Sequence, residues 1–589
     1  MELLRYPAAR PLTILIPFCL WQNGSFITNY ELRMTIRSLH HKEDNSMNQS
    51  RKAPLRNPPS PDPRMTPATE GTPSANVSKI QEYSEKIMRL YIEGPVNKYY
   101  IQTLCMIFFP GSKFSDDEPV TEDTPEMWVN LTKSPDAGID VTAKLSYRGQ
   151  TAEVTRHYDY DEGYTKERRE KIALGDAVTS VCEQVMGYRS SWGMLTGVRP
   201  SKVATELLQK GMSKTRIRKE LTKDYFVIPK KAALATDVAI NEARLIGTPG
   251  RKDCSVYISI PFCPTRCAYC SFVSYTSKRL LSLIPEYLKR LVHDLEETFE
   301  TISRLGLRVR TIYVGGGTPT ILDPDQLTFL LGAVERMTDV RALEEYTLES
   351  GRPDTITAEK LAVAREYGVG RISVNPQTLC DDVLRHIGRA HNTEMFYKAY
   401  ETARASGIPV INTDLIAGLP GDSFKTFSAS FDGIMALRPE NVTVHTFCVK
   451  KSAELRKEGP DVYSMRGGDT GKCVDYSQIQ CAHEGYIPYY MYRQKNTVGN
   501  FENVGFALPG YEGLYNIYMM EEVHSIFAAG AGAVTKLVDY APVDGSPRFI
   551  DRMFNPKYPF EYLDEAGEIT NRERLARAEA FYRERNMLD

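Results

Sequence analysis

Residues 263–270 read Cys263-Pro264-Thr265-Arg266-Cys267-Ala268-Tyr269-Cys270, just after the apolar run 256–260. The cysteines have the spacing C-x3-C-x2-C. Thiolates are the ligands of iron–sulfur clusters, and a [4Fe–4S] cluster normally takes four of them, so three would leave one iron open to a small molecule. A zinc site would need a fourth cysteine or histidine at paired spacing, and a redox C-x-x-C pair would leave Cys263 unexplained. The spacing therefore predicts a reactive iron–sulfur cluster held by Cys263, Cys267 and Cys270.

The cysteine loop resembles the signature of radical S-adenosylmethionine (SAM) enzymes, in which the open iron binds the amino and carboxylate groups of SAM. Its wider context reads YISIPFC at 257–263, GGGTPT at 315–320 and DLIAGLP at 414–420. This combination resembles the oxygen-independent coproporphyrinogen III oxidases (dehydrogenases), and most of all their HemZ-type subgroup, over roughly residues 78–540. The resemblance implies that the cofactors are a [4Fe–4S] cluster and SAM, and that the three cysteines are the catalytic residues and metal ligands.

The family resemblance also implies a reaction, in the biosynthesis of haem and other porphyrins. In the family, SAM is cleaved reductively and a 5′-deoxyadenosyl radical takes hydrogen from the β-carbon of a substrate propionate. Loss of carbon dioxide and one electron then leaves a vinyl group, and two such events give protoporphyrinogen IX. The expected partners are a tetrapyrrole substrate and a low-potential electron donor such as a flavodoxin or ferredoxin.

Two other functions remain open: a haem-binding chaperone on a radical SAM scaffold, and a radical SAM methyltransferase, or another radical SAM enzyme, with a different substrate. The best-known coproporphyrinogen enzymes carry a further cysteine two residues after the triplet, where this chain has Phe272. The resulting form C-x-Y-C-S-F is also common in haem chaperones. The chaperone-type stretch H-N-x-x-Y-W is not visible around His483.

Length, charge and cysteine usage narrow the class of protein. A chain of 589 residues is too long for one ordinary core and predicts two or three domains. Its 73 Lys+Arg against 75 Asp+Glu, without a basic block, argue against a nucleic-acid binder. Eleven cysteines, scattered apart from the triplet, are not a secreted disulfide framework, and an oxygen-sensitive cluster fits a reducing cytoplasm. The apolar run 12–21 is too short to span a bilayer. We expect a cytoplasmic monomer that binds no membrane.

The N-terminal part of the chain divides by composition. Residues 1–76 are predicted to be a disordered or mis-started extension, because 43–76 are rich in Pro, Ser, Asn, Thr and charge. Residues 77–165 are predicted to form a small α+β domain. Its expected elements are a helix over 80–92 and strands over 100–109, 139–147 and 151–158. Residues 166–250 are predicted to be a helical segment whose stretch 192–202 is typical of the HemZ-type subgroup, read here as an inter-helix loop without chemistry.

Residues 251–450 alternate between short apolar runs and longer amphipathic segments, which favours βαβ units and a parallel sheet. Six units predict a partial, TIM-like (β/α)6 barrel, the fold that radical SAM enzymes share. The predicted strands are 254–260, 310–315, 345–349, 371–376, 410–417 and 441–447, and the predicted helices are 282–305, 324–337, 357–367, 380–406 (broken) and 423–437. We expect an α+β C-terminal extension in which 451–540 cover the substrate, followed by a charged, peripheral helical tail at 541–589.

A glycine motif, Gly315 to Thr320, follows the second predicted strand of the barrel. It has neither the ending of a Walker loop nor the spacing of a dinucleotide fingerprint. Glycines permit close approach to a ligand, although such a motif alone is more often a tight turn. The resemblance implies that Gly316 faces the cluster-bound SAM, while Gly317 and Thr318 face a second SAM molecule. Glu349, which ends the third strand, matches a family glutamate that contacts SAM; the alternative is a solvated loop charge.

Further cofactor contacts are implied at the ends of the later strands. The family counterparts of Gln377, Arg389 and Asp414 help to hold the second SAM molecule. Asp414 is also a polar residue inside an apolar strand, and a buried carboxylate needs a partner. Family positions beside the cofactors are matched by Tyr257, Tyr269 and Cys448, and for the two tyrosines core packing is the competing interpretation.

The C-terminal region contains two basic residues that are candidate substrate ligands. Arg493 and Lys495 can pair with the propionates of a tetrapyrrole, because guanidinium suits bidentate recognition of carboxylates. The alternative is a surface loop beside core aromatics.

Overall fold

The computed structural model of the protein describes residues 87–134, 138–160, 164–270, 274–448, 468–494, 497–542 and 548–588. All of these residues belong to one compact unit. The predicted extension 1–76 lies outside the described residues. Within those ranges, no helix has the length and apolar character needed to cross a membrane. The other predicted domain boundaries stay a prediction.

The strands in the described residues are β1 (Ile87–Glu93), β2 (Lys113–Phe114), β3 (Glu126–Ser134), β4 (Gly138–Tyr147), β5 (Gln150–Tyr158), β6 (Asp253–Ile260), β7 (Arg308–Gly316), β8 (Glu345–Leu348), β9 (Arg371–Ser373), β10 (Val410–Ala417), β11 (Asn441–Thr446), β12 (Ile487–Tyr492), β13 (Asn503–Ala507), β14 (Ser525–Ala529), β15 (Val534–Asp539) and β16 (Phe549–Phe554).

The helices in the described residues are α1 (Lys98–Phe108), α2 (Lys166–Met186), α3 (Lys202–Gln209), α4 (Lys214–Lys223), α5 (Pro229–Ile246), α6 (Lys278–Leu281), α7 (Ile284–Arg304), α8 (Pro324–Met337), α9 (Ala358–Glu366), α10 (Asp381–His386), α11 (Thr393–Ala405), α12 (Phe424–Ala436), α13 (Gly468–His483), α14 (Leu514–Glu521), α15 (Pro559–Leu563) and α16 (Glu565–Glu584).

The first sheet has the strand order β2-β1-β3-β4-β5, with β1 parallel to both neighbours and the remaining pairs antiparallel. Helix α2 packs against β4 and β5. The predicted strands 139–147 and 151–158 correspond to β4 and β5. The central strand β3 was not anticipated by the sequence analysis.

Two predictions for this region were wrong. The segment 100–109, predicted as a strand, is helix α1, because its buried residues follow helical rather than alternating spacing and Asn97 caps the first turn through the Tyr100 N–H at 3.1 Å. The predicted helix 80–92 contains β1 over 87–93, where buried Met88 and Leu90 alternate with Arg89 and Tyr91; residues 80–86 lie outside the described residues.

The second sheet contains the predicted barrel. Its order is β12-β13-β11-β10-β9-β8-β7-β6-β14-β15-β16, and β6 to β11 are all parallel neighbours. Helices lie between successive strands, and the predicted 380–406 segment is indeed broken into α10 and α11. The partial (β/α)6 barrel is confirmed. The six predicted strands match β6 to β11, although β9 is only three residues long.

The C-terminal region extends this sheet on both sides. Strand β13 pairs antiparallel with β11 and β12 pairs antiparallel with β13, while β14 pairs parallel with β6 on the other side. The predicted tail contains the helices α15 and α16, but the expectation that it is peripheral was wrong. Strand β16 pairs with β15 inside the same sheet, and α16 buries Phe581 and Tyr582. The Tyr582 hydroxyl donates to Ser525 Oγ at 2.8 Å, so the tail is packed against the barrel.

The parallel strands determine where a site can form. Their carboxyl ends meet at one edge of the sheet, and the loops that leave them lie side by side. Gly317 N–H donates to Ile260 O at 2.8 Å, which joins the loops after β6 and β7. Gln377 forms a parallel bridge with Leu415, which joins the loop after β9 to β10. The loops that carry the cysteines, the glycine motif and Gln377 therefore lie at this edge.

A buried ion pair connects the helical segment to the C-terminal region. Lys231 Nζ lies 2.6 Å from Glu502 Oε1, and neither side chain is exposed. Trp192 Nε1 donates to Glu502 Oε2 at 2.8 Å, and Gln478 Nε2 donates to Oε1 at 2.7 Å. Burial acts to raise the pKa of Glu502, but Lys231 and the hydrogen bonds outweigh burial and hold the pKa below its usual value. The pair fixes the stretch around Trp192 beside β13.

We expect Lys231→Met to lower the free energy of unfolding by about 3–5 kcal/mol at neutral pH, because Glu502 would remain buried without its cation. The deficit should shrink towards about pH 5, where the stranded carboxyl can accept a proton. Urea unfolding at both pH values measures this.

Lys230→Met is the matched control, since Lys230 is the adjacent lysine and its side chain is 54% exposed. That change should cost about 0–1 kcal/mol. Equal losses in the two variants would contradict the role assigned to the buried pair.

Candidate active site

The cysteine loop begins where β6 ends and is held at several points by backbone hydrogen bonds. Cys263 N–H donates to Tyr275 O at 3.1 Å, and Ala268 N–H donates to Ile387 O at 3.0 Å. Cys270 N–H donates to Cys267 O at 3.1 Å, which makes the last part of the loop a tight turn. Cys263 is buried, whereas Cys267 and Cys270 are half-buried. The loop is therefore a constrained support for three thiols.

The glycine motif packs directly against the first cysteine. Gly316 has φ +111°, and Thr318 N–H donates to Phe262 O at 2.8 Å. A Cβ atom at Gly317 would lie 2.5 Å from Phe262 O and 3.0 Å from Cys263 Sγ, so a side chain there would collide with the cysteine loop. Thr318 Oγ1 lies 3.3 Å from Cys263 Sγ. The motif is thus more than a tight turn, because it forms one wall of the cysteine site.

Burial raises the pKa of the Cys263 thiol, and hydrogen bonds from Thr318 and Ser274 oppose that rise. A thiol must lose its proton to ligate iron, so metal binding at this position releases a proton. The hydrogen bonds lower the cost of that step because they stabilise the thiolate.

Glu349 follows β8 and lies beside the glycine motif. A Cβ atom at Gly315 would lie 2.8 Å from Glu349 Oε2. Burial raises the pKa of Glu349 to about 8, repulsion from Asp414 adds to the rise, and the Gly316 N–H opposes it. A carboxyl in this state favours a ligand that brings positive charge or hydrogen-bond donors, such as an ammonium group or ribose hydroxyls.

Asp414 lies inside β10 and has the partners that a buried carboxylate requires. Asn375 Nδ2 donates to Oδ2 at 2.8 Å and Asn412 Nδ2 donates to Oδ1 at 2.7 Å. His445 Nε2 lies 3.5 Å from Oδ2. Burial acts to raise the pKa of Asp414, but the hydrogen bond with His445 and its neighbours outweigh burial and lower it. Asp414 therefore stays ionised while Glu349 is protonated more readily.

Gln377 is held in a strained conformation beside Asp414. Its φ is +69°, an uncommon value for a residue with a side chain. Gln377 N–H donates to Asp414 O at 3.1 Å, and Ile416 N–H donates to Gln377 O at 2.9 Å. These two bonds hold the residue in place against the strain. Such strain is common at functional sites.

Arg389 and Tyr269 form a pair next to the cysteines. Arg389 donates to the Tyr269 hydroxyl from Nε at 3.2 Å and from Nη2 at 3.0 Å. Its Nη1 donates to Gly351 O at 3.2 Å, so the pair also joins the loop after β8. Both predicted residues therefore lie at the site, with Tyr269 orienting the guanidinium.

Tyr257 and Cys448 lie in different surroundings. Tyr257 stacks with Tyr313 at 6.1 Å and with Tyr515 at 6.2 Å between ring centroids, which fits the packing interpretation of this residue. Cys448 is buried at the end of β11, where it forms an antiparallel bridge with Thr497. These contacts do not assign a cofactor role to Tyr257 or to Cys448. For both residues that role stays a prediction.

The structure adds residues that sequence reasoning missed. Arg352 donates from Nη1 to Cys267 Sγ at 3.5 Å and from Nη2 to Thr265 Oγ1 at 2.8 Å. His445 Nδ1 lies 3.3 Å from the Tyr492 hydroxyl, on the far side of the ring from Asp414. The signal for His445 was a histidine within the predicted strand 441–447, and the signal for Arg352 was its position three residues after Glu349.

Arg493, a candidate ligand for substrate propionates, contacts the protein backbone in this structure, and its role in binding propionates stays a prediction. Arg493 is 3% exposed, and its Nη2 donates to the backbone oxygens of Gly197 (3.0 Å) and Leu195. Burial lowers the pKa of Arg493 to about 10. Its guanidinium holds the stretch 192–202, which is therefore clamped to the C-terminal region rather than being a simple connection. Lys495 lies outside the described residues.

The residues present fit the cofactors that the cysteine spacing implies. Three thiols share one constrained loop, the glycine at 317 leaves the backbone open where a side chain would collide, and Glu349 carries a carboxyl ready to meet a cation. The donor set is that of an iron–sulfur cluster with an incomplete protein ligand shell.

We expect Glu349→Gln to change how stability depends on pH in the protein without cofactors. Because the pKa of Glu349 is raised in the folded state, the folded protein binds more protons than the unfolded chain between about pH 4.5 and the folded value of about 8, so stability falls as pH rises. Glutamine removes this fall. Relative to wild type, the variant should gain about 1–2 kcal/mol between about pH 6 and pH 8.5, allowing for its partial exposure.

Urea unfolding midpoints at the two pH values measure this gain. Glu366→Gln, at an exposed position on α9, is the control and should show none. A pH profile of Glu349→Gln parallel to that of wild type would contradict the raised pKa.

Comparison with known proteins also indicates a site for an iron–sulfur cluster and SAM. The model of the Radical SAM superfamily matches residues 257–432. The oxygen-independent coproporphyrinogen-III oxidase-like protein HemZ of Bacillus subtilis is 38% identical over 391 residues, which cover 65% of this chain and 76% of that protein. The heme chaperone HemW of the same organism is 31% identical over 327 residues, 54% of this chain and 80% of that protein.

A third relative is the anaerobic coproporphyrinogen III oxidase 1 of Cereibacter sphaeroides, which is 30% identical over 258 residues, 43% of this chain and 53% of that protein. The cofactors predicted from the cysteine loop, a [4Fe–4S] cluster and SAM, are those of the Radical SAM superfamily. The chain belongs to the oxygen-independent coproporphyrinogen III oxidase-like family of radical SAM proteins.

Proposed function

We propose that this protein is an oxygen-independent coproporphyrinogen III dehydrogenase, which converts two propionate side chains of its substrate to vinyl groups. The observation that carries the proposal is the convergence of the cysteine triplet, the glycine motif and Glu349 on one edge of the sheet in a chain 38% identical to a coproporphyrinogen oxidase-like protein. The proposed reaction needs an external low-potential electron donor of the flavodoxin or ferredoxin class.

The chain's own residues are proposed to bind and orient the cofactors. Cys263, Cys267 and Cys270 would hold the cluster, and when bound and reduced it supplies, through SAM, a radical able to remove hydrogen from an unactivated carbon. Gly316 and Glu349 would meet the SAM beside the cluster.

A second set of side chains is proposed to hold another SAM molecule. Its members share an edge of the barrel, where Arg389 is oriented by Tyr269 and Asp414 by two asparagines. The set consists of Gly317, Thr318, Gln377, Arg389 and Asp414. Cys448 and Tyr257 are assigned to the surroundings of the cofactors on the family resemblance alone.

The substrate region is proposed to lie beside β11 to β13. There Tyr490 and Tyr492 stack at 6.3 Å between ring centroids, and the Tyr492 hydroxyl meets His445. Flat aromatic faces suit a tetrapyrrole, and exclusion of water from such a pocket would protect a radical. In the proposed reaction each propionate loses a hydrogen atom, carbon dioxide and one electron, and the electron passes to an external one-electron acceptor.

One observation favours a second candidate, a haem chaperone. The triplet is followed by Ser271-Phe272 rather than by a further cysteine, and the chain matches HemW of Bacillus subtilis over 80% of that protein. A chaperone of this kind would bind haem stoichiometrically and pass it on without turning over SAM.

The test is an anaerobic incubation of the reconstituted, dithionite-reduced protein with SAM and coproporphyrinogen III, analysed by mass spectrometry. We expect loss of two carboxyl groups from the substrate together with 5′-deoxyadenosine. Cys267→Ala should lower both products by at least about 10²-fold, because one cluster ligand is removed. Cys473→Ala, at a buried cysteine on α13 outside the triplet, is the control and should retain activity.

The products separate the candidates. Deoxyadenosine without decarboxylation would reject coproporphyrinogen III as the substrate and point to a methyltransferase or another radical enzyme. Absence of both products, with stoichiometric binding and transfer of haem, would replace the dehydrogenase with the chaperone. Decarboxylation that survives Cys267→Ala would overturn the assignment of the cysteines.

A further inference from the structure

Arg352 is a buried arginine whose five N–H donors are all used, three of them on the cysteine loop. It is 4% exposed and stands in the loop after β8. A guanidinium has five N–H donors in a rigid fork. Two of them go to Thr265, from Nη1 to the backbone oxygen at 3.1 Å and from Nη2 to Oγ1 at 2.8 Å, and a third goes from Nη1 to Cys267 Sγ at 3.5 Å.

Asp354 takes the remaining two donors and orients the fork. Nε donates to Asp354 Oδ1 and Nη2 donates to Oδ2, both at 3.1 Å. Pro353 restricts the backbone next to the arginine, and Thr355 Oγ1 donates to Arg352 O at 2.9 Å. The side chain is therefore held in one geometry by its own loop, and its other N–H groups point to Thr265 and Cys267.

The position of the charge distinguishes Arg352 from Arg389, the other buried arginine near the triplet. Arg389 uses its donors on Tyr269 and Gly351. Arg352 places a cation and an N–H donor on the sulfur of a predicted cluster ligand. Hydrogen bonds to ligand sulfurs, local charge and solvent exposure set the potential of an iron–sulfur cluster, and positive charge stabilises the reduced, more negative state.

We propose that Arg352 is a positioning residue that fixes the cysteine loop through Thr265 and raises the reduction potential of the bound cluster through Cys267. The step concerned is a one-electron reduction of the cluster by an external donor, dithionite in the test, with no bond to the protein formed or broken. The proposal rests on the family's cofactor and on the geometry of these loops, and it holds whether the protein decarboxylates a porphyrinogen or carries haem.

The first measurement is the midpoint potential of the reconstituted cluster, followed by electron paramagnetic resonance during a reductive titration. Arg352→Met keeps the apolar length and removes the charge and all five donors. We expect its equilibrium constant for reduction to fall about tenfold, which equals ~59 mV for one electron. Arg365→Met, at an exposed arginine on α9, makes the same exchange away from the loop and should leave the potential unchanged.

The second measurement separates the effect of the positive charge on the potential from the effect of the hydrogen bonds that hold the cysteine loop, called here the clamp. Arg352→Lys keeps the positive charge, but a single ammonium cannot reach Thr265, Cys267 and Asp354 together. We expect the midpoint potential of this variant to fall by less than half of the shift seen in Arg352→Met. We also expect it to lose iron to bathophenanthroline roughly tenfold faster than wild type, because contacts of the ligand loop are lost. Thr265→Val removes only the Oγ1 acceptor and should speed iron loss without moving the potential.

A wild-type potential in Arg352→Met, or a potential that rises, would overturn the proposal. Equal effects of Arg352→Met and Arg365→Met would do the same. If Arg352→Met does not fold, as judged by circular dichroism of the protein without cluster, the result from Arg352→Lys decides: unchanged iron release in that variant rejects the clamp.

Discussion

The pairing of β6 with β7 is the constraint on which the site depends. It begins at Asp253 with Arg308, shifts register by one residue between Cys254 and Ser255, and then runs unbroken to Ile260 with Gly316. It continues one residue further, where Gly317 N–H donates to Ile260 O. This last bond brings the glycine motif so close to the cysteine loop that no side chain fits at Gly317. A parallel sheet therefore does two tasks at once: it builds the core, and its strand ends place a thiol-bearing loop against a backbone without side chains.

The charged residues at this edge of the sheet form two groups, one of carboxyl groups and one of guanidinium groups. Burial raises the pKa of Glu349 and repulsion from Asp414 adds to the rise, while Asp414 is held ionised by its imidazole and amide partners. On the cysteine side, Arg352 and Arg389 each tie the loop after β8 to the loop after β6. Buried charges are tolerated only with partners, so the carboxylates and guanidiniums also determine the relative positions of the loops.

Sequence patterns predicted the barrel well and the flanking regions poorly, for identifiable reasons. The strands β6 to β11 are buried apolar runs separated by long amphipathic helices, so periodicity was a sufficient signal. The segment 100–109 is rich in aromatic and β-branched residues, yet its buried positions follow helical spacing and the capping Asn97 starts a helix. The tail looked peripheral because of its charge, although Arg574, Phe581 and Tyr582 are buried against the barrel.

The amino-acid sequence alone predicts the cofactors, because the spacing of Cys263, Cys267 and Cys270, the glycines at 315–317 and the polar residues at strand ends are local patterns. Which residues distant along the chain contact one another is visible only in the tertiary structure. Arg352 meets Cys267 across 85 positions of the chain, and Arg493 meets Leu195 across 298. Such contacts follow from how strands and loops pack, and packing joins residues whose separation along the chain carries no periodic signal. For that reason the structure alone shows that Arg493 holds the stretch around Gly197, and that Arg352, from the loop after β8, contacts the cysteine loop.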